Sequence, residues 1–129
     1  MADVNRGNRP LSPFMLGQYY RLQMTSFSSI MVRISGILVL GLALLVVCWL
    51  LAAATSDSAF ALVDGVLRSW IGDVVMTGGV WALWYHTLGR LRHVVWDLGY
   101  CLDVRVAEKL GLGMFVGATL LTIVTLIAV

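Results

Sequence analysis

One uncharged stretch limits the possible folds of this chain more than any other feature. It reads ISGILVLGLALLVVCWLLAAA, residues 34–54, and holds no Asp, Glu, Lys or Arg. A helix needs about 20 residues to cross the hydrocarbon core of a bilayer. Because the core has no water to satisfy backbone groups, a crossing segment is expected to be helical. The stretch therefore predicts a transmembrane helix.

Two further apolar segments predict the same structure, namely residues 74–91 and residues 110–129. The composition agrees, because 60% of the 129 residues are hydrophobic and 12% are charged, which is unusual for a soluble domain this short. The sequence predicts an all-α membrane protein, a single domain of three transmembrane helices. A leader, residues 1–33, contains the start of the first helix, for which Thr25, Ser26 and Ser28 are candidate caps.

The distribution of basic residues predicts how the helices are oriented. The segments that precede, separate and follow the apolar runs hold, in order, four, one, four and no Lys or Arg residues, when Arg90 at the end of the second run is counted with the segment after it. Since basic residues favour the cytoplasmic side, the N-terminus is expected in the cytoplasm and the C-terminus in the periplasm, across a bacterial inner membrane. The small net charge of +2 is spread along the chain, so membrane lipid is an expected partner and nucleic acid is not.

His86 lies within the second apolar segment, where an ionisable side chain is costly and suggests a functional site. Gly78 and Ala82 precede it on the same helical face, so another helix or a porphyrin could approach. His93 follows two turns later, about 10 Å nearer the cytoplasm. Arg90 and Arg92 are expected beside His93 at the membrane interface. These features suggest a haem iron bound by His86, with its propionates toward this cationic rim. The alternative is a neutral histidine that bonds across a helix interface.

The two histidines cannot bind the same iron. Axial ligands approach opposite faces of a haem, whereas His86 and His93 lie on one face of one helix, about 10 Å apart. The chain has two histidines in total. A haem with two histidine ligands therefore requires the second ligand from a partner subunit.

Ser29 and Arg33 form a second candidate site. They are four residues apart, so they share a helical face at the cytoplasmic end of the first helix. A hydroxyl and a guanidinium at that position could donate hydrogen bonds to the carbonyl oxygens of a quinone that arrives from the lipid. The alternative is that Arg33 extends to lipid phosphates and anchors the helix.

Three motifs, RPLSP, SIMVRISG and YHTLGRLRHVVWDLGY, resemble in order and spacing the cytochrome b large membrane-anchor subunit of succinate dehydrogenase, respiratory complex II. The resemblance implies that His86 is an axial ligand of haem b, whose other ligand is a histidine of the small anchor subunit. It implies that His93 lies near the propionates. It also implies that Ser29 and Arg33 belong to a ubiquinone site, which the small anchor and the iron–sulfur subunit complete. Asp97 is expected near that site, with an ion pair to a neighbouring arginine as the alternative.

The sequence departs from the family pattern at Val32, where the family commonly has a histidine that helps to hold the propionates. This leaves Arg33 and His93 as the candidates for that role. The implied function is an anchor for the flavoprotein and iron–sulfur subunits in the electron transport chain and the tricarboxylic acid cycle. Succinate oxidation is expected in those subunits rather than in this chain. The alternatives are a haem-free structural anchor or assembly protein, and the anchor of a fumarate reductase.

Overall fold

The computed structural model describes residues 20–129, which form four helices. In chain order these are α1 (Met24–Thr55), α2 (Asp57–Leu67), α3 (Trp70–Asp97) and α4 (Val104–Ala128). The all-α fold that the sequence predicted is confirmed. The first part of the predicted leader, residues 1–19 with the RPLSP motif, lies outside the described residues.

Each apolar segment belongs to a longer helix, apart from Val129 at the end of the third segment. α1, α3 and α4 all begin before their apolar segments, since the helical backbone hydrogen bonding extends into the preceding residues. The early start of α1 was predicted, but its capping residue was not. The N-cap is Gln23, and its backbone N–H donates to the hydroxyl of Ser26 at 3.2 Å. Thr25, Ser26 and Ser28 therefore lie within the helix rather than at its cap.

α2 occupies a segment that was expected to be a loop. Ser56 caps it, since its hydroxyl accepts from the backbone N–H of Ala59 at 3.2 Å. α2 folds back against α1, where the Trp49 ring packs on Phe60 with the centroids 5.7 Å apart. The Trp49 indole N–H also donates to Asp64 at 3.4 Å. With 11 residues, α2 is too short to cross a bilayer.

Two of the helices are long and apolar enough to span a membrane by length and composition. They are α1, with a mean hydropathy of 2.9 in its most apolar window, and α4, with 2.2. α3 is also long, at 28 residues, but it is less apolar and is not one of these two helices. The third span and the orientation of the termini thus remain predictions.

α3 packs between α1 and α4. The core of the bundle contains one buried residue from α1, one from α3 and two from α4, namely Val32, Tyr85, Met114 and Ala118. α1 and α3 approach closely at Gly89, where an added Cβ atom would lie 2.5 Å from a methyl group of Val32. This close approach brings the His86 ring to the seam between α1 and α3.

Candidate functional site

The backbone of α1 holds the ring of His86. Nδ1 of His86 lies 3.1 Å from the carbonyl oxygen of Val32 and 3.4 Å from the hydroxyl oxygen of Ser35. Because a carbonyl oxygen can only accept, this hydrogen bond favours the neutral tautomer with the proton on Nδ1 and a lone pair on Nε2. Metal-binding histidines are commonly oriented in this way, with the non-coordinating N–H bonded to a backbone carbonyl.

Gly36 has no side chain, which leaves room for the His86 ring to lie against α1. A Cβ atom at position 36 would lie 3.0 Å from Cε1 and 3.3 Å from Nδ1 of His86. Any larger residue would therefore have to displace the ring. Gly36, Ser35 and the Val32 carbonyl were not predicted as partners of His86. All three lie in the SIMVRISG segment, but neither helical spacing nor residue type indicates which turn of α1 meets α3.

An apolar cavity of about 510 Å³ lies between α1 and α3 along the same seam. It is lined by apolar residues and by Gly41, Gly78 and Gly79. No heavy atom lies within 4 Å of a Cβ atom added to Gly78, so the surface of α3 is uncovered at this residue. This agrees with the expectation that another helix or a porphyrin could approach the small residues of this face. Ala82, in contrast, is fully buried within the bundle. His86 does not line this cavity, whose nearest residue on α3 is Gly79, about two turns away. An imidazole nitrogen and an apolar groove along one seam fit the chemistry of a haem iron and its porphyrin.

His93 is oriented by its own helix. Its Nδ1 lies 2.7 Å from the carbonyl oxygen of Gly89, and its ring meets the edge of Trp96 with the centroids 5.3 Å apart. The side chain is half-buried. His86 and His93 both lie on α3, so the structure agrees with the inference that they cannot bind one iron from opposite sides.

Ser29 and Arg33 lie on α1 and point away from the bundle. Arg33 is exposed and Ser29 is half-exposed, whereas the intervening Val32 is buried. Among residues 20–129, neither side chain has a hydrogen-bond partner within the chain. Their donors are therefore available to lipid, to a bound molecule or to another subunit, and both interpretations of this pair remain open.

Asp97 is the last residue of α3 and is exposed. The alternative of an ion pair with Arg90 or Arg92 is not realised among residues 20–129, where the carboxylate–guanidinium pair is between Asp64 and Arg68, at 2.8 Å. The expected place of Asp97 near a quinone site remains a prediction.

Arg92 occupies a different place from the one expected. It was predicted to lie with Arg90 at the membrane interface, but of the two only Arg90 is exposed. Arg92 is 4% exposed, and its Nη1 donates to the Ser28 hydroxyl at 2.9 Å. The Tyr85 hydroxyl donates to the carbonyl of Ser28 at 3.3 Å. The difference follows from helical geometry, because two residues turn the side chain by about 200° around α3.

Val32, the point of departure from the family pattern, belongs to the bundle core. Its side chain packs against Gly89 and the core methionine Met114, while its carbonyl oxygen accepts from His86. The backbone at this position thus contributes to the His86 site although the side chain faces elsewhere. The expectation that Arg33 and His93 hold haem propionates is untouched by this arrangement.

Comparison with known proteins assigns the class. The chain belongs to the family of succinate dehydrogenase/fumarate reductase transmembrane subunits, whose model matches residues 5–125. It is 49% identical over 127 residues to the succinate dehydrogenase cytochrome b556 subunit of Paracoccus denitrificans, covering 98% of this chain and 96% of the relative. The cytochrome b560 subunit of Chondrus crispus is 30% identical, with 90% and 92% covered. The b556 subunit of Rickettsia conorii is 27% identical, with 89% and 88% covered. The family that the sequence motifs indicated is confirmed.

Proposed function

We propose that this chain is the cytochrome b membrane-anchor subunit of a succinate dehydrogenase in a bacterial inner membrane. α1, α3 and α4 cross the membrane, with the N-terminus in the cytoplasm and the C-terminus in the periplasm. The observation that carries the proposal is His86, whose Nδ1 is held by the Val32 carbonyl so that Nε2 is available. The names of the relatives, all cytochrome b subunits of succinate dehydrogenase, support it.

His86 would bind the iron of haem b through Nε2. Because His93 lies on the same helix and the chain has no other histidine, a second histidine for the iron would come from a partner, the small membrane-anchor subunit. His93 and Arg33 would lie beside the propionates, since both are at the same end of the bundle and the exposed Arg33 guanidinium carries N–H donors for a carboxylate. When bound, the haem supplies one-electron redox chemistry, with a potential that its ligands and burial determine.

Ser29 and Arg33 would bind ubiquinone with the iron–sulfur and small anchor subunits. The Ser29 hydroxyl positions the ring by hydrogen bonding, and the Arg33 guanidinium stabilises negative charge on a quinone oxygen. Asp97 lies at the same end of the bundle and would complete the polar surroundings. The chain also holds the flavoprotein and iron–sulfur subunits at the cytoplasmic face, and succinate is oxidised in those subunits.

The haem assignment is tested by replacing each histidine separately. His86→Ala is expected to abolish or strongly alter the haem b absorbance of the purified complex, because it removes the iron ligand. His93→Ala, the matched control on the same helix, is expected to retain a low-spin spectrum. The haem b absorbance of each variant is measured from a reduced-minus-oxidised spectrum. An unaltered spectrum in His86→Ala would refute the ligand assignment and favour a haem-free structural anchor.

The quinone assignment is tested with Arg33→Leu. Succinate-dependent reduction of ubiquinone is expected to fall by at least tenfold, since the variant loses a charged hydrogen-bond donor worth roughly 1.5–3 kcal/mol. Reduction of an artificial dye by succinate is expected to persist, because it bypasses the membrane subunits. Arg68→Leu, at the opposite end of the bundle, serves as the control. Equal quinone and dye rates in Arg33→Leu and wild type would contradict the assignment.

A further inference from the structure

Arg92 places a positive charge inside the bundle without a negative partner in the part of the chain that the structure describes. Its side chain is 4% exposed. Nη1 donates to the Ser28 hydroxyl, whereas Nε and Nη2 have no acceptor among those residues. The guanidinium carbon lies 4.5 Å from the centre of the Trp96 ring. Its contacts are therefore a neutral hydroxyl and an aromatic face, and neither one neutralises the charge.

Folding stability does not explain this arrangement. Arginine stays protonated in proteins even when it is buried. A buried charge without an opposite charge costs free energy, and replacing buried ionic groups with neutral ones is often neutral or stabilising. Ser28 does not depend on Arg92, because its hydroxyl also donates to the carbonyl of Thr25 at 3.0 Å. The charge is thus retained at a cost that the local hydrogen bonds do not recover.

Arg92 lies close to both candidate sites, the one at His86 and the one at Ser29 and Arg33. It follows His86 by six residues on α3, which corresponds to about 9 Å along the helix axis. Through Ser28 it contacts α1 directly beside Ser29, on the bundle side of the helix. A charge at such distances acts strongly through a protein interior, where the effective dielectric constant is low and salt screens little. Exposed arginines such as Arg90 are screened far more.

We propose that Arg92 is a fixed internal positive charge that raises the reduction potential of the haem held at His86. The inference rests on the proposed function, and it adds a residue that touches neither the iron nor the quinone. A nearby positive charge stabilises the more negative, reduced form of a redox centre, so it makes that centre easier to reduce. The same potential favours negative charge on a quinone oxygen beside Ser29.

The test separates the charge of Arg92 from its hydrogen bond. Arg92→Gln removes the charge and keeps an N–H donor for Ser28. Ser28→Ala removes the hydrogen-bond acceptor and keeps the charge. Arg90→Gln is the matched control, because it removes an exposed charge from the same helix. The haem b midpoint potential of each purified complex is measured by spectroscopic redox titration, and thermal unfolding is followed in parallel.

Arg92→Gln is expected to lower the midpoint potential, whereas Ser28→Ala and Arg90→Gln leave it close to that of wild type. Thermal stability is expected to be retained in Arg92→Gln; if this variant does not assemble, Arg92→Met provides the same loss of charge with an apolar side chain. An unshifted potential in the charge-removing variant would overturn the inference. An equal shift in Ser28→Ala would also overturn it, since it would indicate a role in positioning. If the purified wild-type complex shows no haem spectrum, the proposed haem site and this inference are both refuted.

Discussion

At the scale of single residues, the chemistry of His86 depends on atoms that belong to α1. The Val32 carbonyl selects the ring nitrogen that carries the proton, and Gly36 leaves room for the ring. Neither contribution uses a side chain. A scan for ligand-type residues therefore finds His86 and overlooks the groups that orient it.

Gly36→Val is expected to remove most of the haem b absorbance while the iron ligand itself remains. The first added carbon would lie 3.0 Å from Cε1 of His86, and the branched side chain would force the ring away from α1. Gly113→Val in α4 is the control, because no heavy atom lies within 4 Å of a Cβ atom added there. Both spectra are recorded at equal protein concentration. Full haem content in Gly36→Val would show that the ring does not need this contact.

At the scale of helices, α3 is the element that the others position. It is more polar than α1 and α4, and it is held by contacts on two sides. The indole N–H groups of Trp81 and Trp84 donate to Thr119 and Thr125 of α4, at 3.2 and 3.0 Å. On the other side, α1 packs closely against α3 at Gly89, which has no side chain. These contacts determine the rotation of α3, which directs His86 toward the α1 seam and Arg92 into the bundle.

Thr125→Val is expected to lower the free energy of unfolding by about 1 kcal/mol, since the indole N–H of Trp84 would lose its acceptor in an apolar setting. Thr87→Val is the matched control. Its hydroxyl donates within its own helix to the carbonyl of Leu83, and the residue is exposed, so its loss leaves no orphaned donor. Unfolding in mixed detergent micelles measures both. A destabilisation of equal size in the two variants would contradict a specific role for the contact between α3 and α4.

At the scale of the whole molecule, the number of crossings decides where the two ends lie. Three crossings by α1, α3 and α4 place the termini on opposite sides, whereas two crossings place them on the same side. α2 does not alter this count, because its 11 residues fold back along α1. The Lys and Arg distribution predicts the direction of crossing, with the first 33 residues expected on the cytoplasmic side.

Fusions to either end test this topology. Green fluorescent protein is expected to fluoresce at the N-terminus and to stay dark at the C-terminus after export. Alkaline phosphatase is expected to be active at the C-terminus and inactive at the N-terminus, because it folds in the periplasm. The same reporter active at both ends would contradict three crossings.

The sequence by itself determined the class of this protein. Long apolar segments predict membrane helices whatever their neighbours are, and His86 inside one of them suggests a functional site, because these signals depend on local composition and on depth in the bilayer. The motifs were enough to indicate the family. Since both histidines of the chain fall on one predicted helix, the residue count alone pointed to a partner subunit as the source of a second haem ligand.

The tertiary structure decided what each polar residue contacts. The segment between α1 and α3 contains a helix because Ser56 caps it and α1 provides a surface for it. Arg92 is interior because packing sets the rotation of α3, and spacing along one helix cannot reveal which side a neighbour covers. The same reason separates Ser28, which faces the bundle, from Ser29 beside it, which faces outward. Side-chain partners are set by helix–helix packing, and a single sequence carries that information only indirectly.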